Sequence, residues 1–176
     1  SRWLYRRASA ANQVVIFQNP DDREDFIEAG CLDDPSKARL VAGSGVDIEH
    51  FVPVPMPQEP VFLMIARLLV SKGVREYAKA AQTILAQGGN QSRFLLAGNL
   101  DATPDCIDPV ELAEWQDAGI EYLGWSEDVR KALGEASVYV LPSYREGTPR
   151  TVLEAAAMGR PCITTDSPGC RETVIH

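Results

Sequence analysis

A chain of 176 residues, 45% hydrophobic and 24% charged, can bury one good core; this excludes disorder by composition and points to a single domain. A formal charge of -8 argues against a nucleic-acid-binding surface, and no apolar run approaches the roughly 18 residues that a membrane-crossing helix needs. The start, Arg2-Trp3-Leu4-Tyr5-Arg6-Arg7, has no apolar stretch after it to make a signal peptide, so the expected location is cytoplasmic and the cluster reads as a solvated helix face.

Along the chain, short apolar runs alternate with helical patterns. Residues 14–17 form the first expected strand. A helix over 20–29 follows, capped by Asn19, because an Asn side chain accepts from free amides of the first turn and Pro20 has no amide to lose. Residues 39–41 are a second strand. Gly43-Ser44-Gly45-Val46-Asp47 reads as a turn in which Asp47 can bond to nearby backbone. Four prolines within residues 52–60 exclude helix and favour an extended crossing of the surface.

Five further strands are expected at 61–66, 94–97, 120–123, 138–141 and 162–164, with helices over 74–87, 109–118 (capped by Asp108), 127–134 (after Ser126) and 149–158. The strands are too continuously apolar for a sheet with one wet face. Strands covered on both sides belong to parallel sheets, so the expected fold is α/β, a doubly wound Rossmann-like parallel sheet with helices on both faces.

In such sheets, ligands sit at the carboxyl ends of the strands. Glu146 and Glu154 stand there, eight positions apart, the first in a loop and the second inside the helix that Thr148 would cap and Pro149 would begin. The amides of Gly147 and Thr148 would form the positive end of that helix, a seat for phosphate, and Glu154 would lie roughly 7.5 Å beyond Pro149 along the axis. An anion site between two carboxylates suits a sugar nucleotide, although two surface acids on an Ala-rich helix would give the same spacing. Arg67 and Lys72, after the 61–66 strand, offer a planar fork and a point charge for a diphosphate, or are two solvated bases. Gly98 permits close backbone approach or a simple turn. Ser126 reads as a helix cap. Cys31, Cys106, Cys162 and Cys170 have no CxxC spacing, and only His50 and His176 accompany them, so no metal site is expected.

The string Tyr139-Val140-Leu141-Pro142-Ser143-Tyr144-Arg145-Glu146-Gly147-Thr148-Pro149, followed by Leu153-Glu154-Ala155-Ala156-Ala157-Met158-Gly159-Arg160-Pro161, resembles the donor-site signature of retaining glycosyltransferases with the two-domain GT-B fold. The likeness is to the family 4 type that builds bacterial surface polysaccharides. The resemblance implies that residues 1–176 are one sugar-nucleotide-binding domain, the carboxy-terminal half of a GT-B fold, without the acceptor domain and the final carboxy-terminal segment. Neither His50 nor His176 matches the histidine that many members carry in the acceptor domain.

By the same resemblance, Glu146 holds sugar hydroxyls and Glu154 the ribose, while Arg67 and Lys72 grip the diphosphate with the Gly147-Thr148-Pro149 helix start. Ser126 and Asp128 border the base, and Gly98 flanks the pocket. It implies a nucleoside diphosphate sugar, UDP-linked, as donor substrate, with neither metal nor cofactor. It also implies a glycan or lipid-linked acceptor bound through the missing domain, and it allows peripheral association of the full enzyme with the inner face of the membrane. A sugar-nucleotide epimerase of similar architecture and a noncatalytic nucleotide-binding module remain as alternatives.

Overall fold

A computed structural model describes residues 2–89 and 91–175; His176 lies outside the described residues. The elements, in chain order, are α1 (Arg2–Ala11), β1 (Val15–Phe17), α2 (Pro20–Glu28), β2 (Ala38–Leu40), β3 (Val61–Ile65), α3 (Val74–Ala86), β4 (Arg93–Ala97), α4 (Pro109–Asp117), β5 (Ile120–Gly124), α5 (Arg130–Glu135), β6 (Val138–Leu141), α6 (Arg150–Ala157) and β7 (Cys162–Thr164). Five strands form one parallel sheet in the order β5-β4-β3-β6-β7. The chain builds outward from β3 through β4 to β5, then returns to the other side of β3 for β6 and β7. Strand order therefore reverses between β3 and β6, and the loops leaving these neighbours open a crevice at the carboxyl edge.

Sequence-adjacent residues explain why this sheet is covered on both faces. Leu63 and Met64, and likewise Leu95 and Leu96, point to opposite sides of the sheet, yet all four are fully buried. For this strand order, the right-handed rule for parallel crossovers assigns α3 and α4 to one face and α5 and α6 to the other. Tyr139, also fully buried, satisfies its hydroxyl with Ile65 O at 3.0 Å and Thr151 Oγ1 at 2.6 Å, tying β6 to β3 and α6.

The first two strands depart from expectation, because β1 and β2 pair in parallel with each other and do not join the five-stranded sheet. The extended crossing over 52–60 is pinned from below by buried Arg160, whose Nη2 donates to Val54 O at 3.0 Å and Pro55 O at 3.2 Å while Nε donates to Leu133 O at 3.0 Å. Its Nη1 has no partner among the described residues, and desolvation lowers the guanidinium pKa.

Two local expectations also fail. The helix expected from residue 127 begins at Arg130, because Ser126 Oγ donates to Asp128 O at 2.8 Å and Asp128 Oδ1 accepts from the Arg130 amide at 3.0 Å. A local turn thus occupies the residues expected to start the helix. Thr148 does not cap α6. Its hydroxyl donates to Gln18 O at 3.3 Å, and Pro149, with ψ 108°, takes the cap position itself without a side-chain bond. Asn19 and Asp108 do cap their helices, accepting from Asp22 N and Val110 N.

Candidate functional site

The loops after β3 and β6 are stitched together at the crevice. Tyr144 N donates to Ser71 O at 3.0 Å, and Gly73 sits at φ +75° where an added Cβ would lie 2.0 Å from Pro142 O, so only glycine fits. This stitching sets Lys72 opposite Glu146. Lys72 Nζ donates to both carboxylate oxygens, at 2.6 Å and 2.7 Å, with side-chain exposures of only 20% and 13%. An ammonium has three N–H groups, so one remains for a ligand oxygen, and each carboxylate oxygen keeps a lone pair for a hydroxyl.

Arg67 is not part of that pair. Its side chain is 61% exposed and contacts Asp101 at 3.3 Å. It lines a cleft of about 690 Å³ together with Gly98, Trp125, Ser126, Asp128 and Thr151. Gly98 here answers to its own backbone, since a Cβ at this φ of +146° would lie 1.7 Å from Ala66 O. Asp128 is bound by Arg130 at 2.8 Å and 2.6 Å, and those bonds hold its carboxyl well below the usual range.

Glu154 faces a second, larger cleft of about 1040 Å³, shared with Asp47, His50, Arg130 and Arg150 and joined to the first through Asp128 and Thr151. It projects from α6 and is 7% exposed. Its contact with Arg150 Nη2 is long, at 3.4 Å, and that arginine is 69% exposed. Burial pushes the Glu154 pKa up, with Arg150 only partly opposing it. A buried carboxylate so loosely paired has acceptor capacity for hydroxyls. Asp47, by contrast, spends Oδ1 on the amides of Glu49 and His50, at 3.0 Å and 3.1 Å.

Between the two carboxylates, Gly147, Thr148 and Pro149 lead into α6. The amides of Gly147, Thr148, Arg150 and Thr151 donate to no group among the described residues. Sequence reasoning thus selected residues that the fold divides among a Lys72–Glu146 pair, a helix start and two joined clefts. It did not select Trp125, 65% exposed at one cleft, or Thr151, which lines both. It assigned Asn19 only a capping role. An aromatic at the end of a strand was the one available signal for Trp125. Arg145, beside Glu146, bonds away from the clefts, to Asp22 at 2.8 Å and 2.6 Å and to Asp25 at 2.5 Å on α2. Among the described residues no group of three or more His, Cys, Asp or Glu side chains is arranged to hold a metal.

The family profile described as glycosyl transferases group 1 matches residues 59–176. The chain is 31% identical over 185 aligned residues to N,N'-diacetylbacillosaminyl-diphospho-undecaprenol alpha-1,3-N-acetylgalactosaminyltransferase of Campylobacter jejuni, covering 97% of this chain and 47% of that protein. It is 28% identical to UDP-Gal:alpha-D-GlcNAc-diphosphoundecaprenol alpha-1,3-galactosyltransferase of Escherichia coli, covering 96% and 46%. The chain therefore spans about half the length of the curated relatives it matches. Among solved structures, HepE of Anabaena in complex with UDP and glucose superposes with a TM-score of 0.79 at 20% identity, over 100% of this chain and 52% of that one. Sucrose-phosphate synthase of Thermosynechococcus elongatus gives 0.78 at 24% identity, over 99% and 46%. At these identities the likeness establishes the fold, the α/β half of a GT-B architecture.

Proposed function

The chain belongs to the group 1 glycosyl transferases, and from that premise we propose that it is the donor-binding part of a retaining glycosyltransferase using a UDP-linked sugar. The observation that carries this reading is the Lys72–Glu146 pair at the strand-order reversal, with Glu154 buried in the adjoining cleft. Residues 1–176 act as the donor half, and the acceptor site belongs to another part of the full protein. The acceptor is a glycan or a lipid-linked sugar in surface polysaccharide synthesis, a reading supported by the diphospho-undecaprenol acceptors in the names of the two relatives. The acceptor brings the full enzyme to the inner face of the membrane. No helix among the described residues is long and apolar enough to cross it.

As the anomeric C–O bond breaks, negative charge develops on the departing diphosphate. The free N–H of Lys72 and the Gly147 and Thr148 amides stabilise that charge, with Arg67 contributing from the neighbouring cleft. Because these donors supply the compensating charge, the reaction proceeds without a divalent metal. Glu146, oriented by Lys72, accepts from sugar hydroxyls, and Glu154 accepts from the ribose. The base lies in the cleft bounded by Gly98, Trp125, Ser126 and Asp128. An α-linked product from an α-configured sugar nucleotide means retention, and both relatives' names specify alpha-1,3 transfer.

Titration calorimetry of this chain with UDP and with UDP-sugars, in the presence and absence of EDTA, tests the reading. Binding that is indifferent to EDTA is expected. An absolute requirement for magnesium or manganese overturns the phosphate site, and failure to bind any uridine diphosphate overturns the donor role.

A further inference from the structure

Asn19 is fully buried where β1 meets α2, and it reaches a loop 127 residues away in sequence. Its Oδ1 accepts from the Asp22 amide at 2.7 Å, which is all that an N-cap requires. The other end does more. Nδ2 lies 2.8 Å from Asp22 Oδ2, 3.1 Å from Glu146 O and 2.9 Å from Gly147 O. All three are acceptors, so the amide has one workable orientation; turning it over would set Oδ1 against two carbonyl oxygens.

Two consecutive carbonyls are thus drawn toward one side-chain amide. In a trans peptide the N–H points opposite to the C=O, and no described peptide bond is cis. Holding Glu146 O and Gly147 O therefore turns the Gly147 and Thr148 amides to the opposite side, away from Asn19. These are two of the amides without a partner among the described residues. Surrounding contacts keep the loop from drifting: Glu146 N donates to Pro168 O at 2.9 Å, and Arg145 grips Asp22 and Asp25 on the helix that Asn19 caps.

We propose that Asn19 is a positioning residue that aims the Gly147 and Thr148 amides at the distal phosphate of the donor. The inference rests on the donor reading of this site and adds to it a side chain from outside the five-stranded sheet. Ser and Asp cap helices about as well as Asn, so they separate the two roles. Asn19→Ser is too short to reach the carbonyls, and Asn19→Asp presents them with an oxygen instead of an N–H.

The test is calorimetry of this chain and both variants with UDP and with UMP, which has no distal phosphate, beside a thermal melt. Each variant should bind UDP about tenfold more weakly while UMP stays within about twofold, and each should still melt cooperatively. An unchanged ratio of UDP to UMP affinity in both variants means that Asn19 is a cap only and overturns the proposal. Equal loss of both ligands, or loss of the cooperative melt in both variants, means general damage and also overturns it. Failure of the unmodified chain to bind either nucleotide would instead bring down the donor reading, and this role with it.

Discussion

Glu146 and Glu154 have similarly buried side chains, 13% and 9% exposed, but the loop and the helix that carry them deal with the charge differently. Glu146 is met by a lysine at both oxygens, and its backbone is held by Asn19 and by Pro168 O. Glu154 has one long contact with an exposed arginine, and burial raises its pKa. The loop carboxylate is fixed by partners from elsewhere in the chain, while the helix carboxylate is fixed by its own helix and left under-compensated. Fixed geometry suits orientation of a reacting sugar. Unspent acceptor capacity suits recognition of hydroxyls.

The largest effect should come from removing the partner that separates the two sites. In the full-length enzyme, Lys72→Ala should lower kcat by about 100-fold or more, with a smaller change in donor affinity, if its charge acts mainly as the diphosphate departs. Arg67→Ala should cost less, because that side chain is 61% exposed and shares its charge with Asp101. Steady-state kinetics on both variants decides. Wild-type turnover by Lys72→Ala would return the pair to a structural ion pair.

Ligand selectivity sharpens the comparison further. Glu154→Gln should weaken UDP and UDP-sugar alike, by roughly 10- to 100-fold, because both carry ribose and a charged hydrogen bond is worth about 1.5–3 kcal/mol. Glu146→Gln should weaken only the sugar nucleotide, since UDP has no hexose to hold. Calorimetry with both ligands provides the check; if Glu146→Gln costs UDP as much as Glu154→Gln does, the assignment of sugar and ribose ends is reversed or wrong.

How much of this was legible in the sequence follows from the same contrast. Glu154 sits on a helix whose period, Gly159 and Pro161 are local signals, and the strands β3 to β7 announce themselves as apolar runs at or within a residue or two of their observed ends. The Glu146 environment is not local: Lys72 is 74 residues away and Asn19 is 127 away. Spacing placed these residues on the loops and could not pair them. Thr148 shows the limit in the other direction. By local chemistry it is a good cap, but its hydroxyl is taken by Gln18 O, and Gly43 leaves just enough room against its side chain, where an added Cβ would stand 2.6 Å from Thr148 Cγ2. Nor could an apolar run at 14–17 or 39–41 reveal which sheet it joins, because pairing is decided by partners and not by the strand itself.

The smallest effect, and the one that most directly divides the two carboxylates, is the sign of the stability change. Glu146→Gln leaves the Lys72 ammonium, 20% exposed, without its counter-charge, which should cost about 1–2 kcal/mol and lower Tm by a few degrees at neutral pH. Glu154→Gln should raise Tm or leave it unchanged at neutral pH, since it removes a carboxylate whose ionisation burial opposes. The pH dependence follows from linkage. With the folded pKa above the ordinary 4.5, the unfolded chain releases this proton first as pH rises, so Glu154 withdraws stability between 4.5 and its folded pKa and the loss is complete above that. Below 4.5 the group is protonated in both states and the contribution vanishes. The Tm advantage of Glu154→Gln over the unmodified chain should therefore appear on going from pH 4 toward pH 7, while Arg150→Ala, which deletes the opposing charge, should deepen the loss over the same interval. Thermal melts of the three proteins across that range make the measurement, and an advantage that is largest at low pH would mean that Glu154 is held by interactions favouring its charged form.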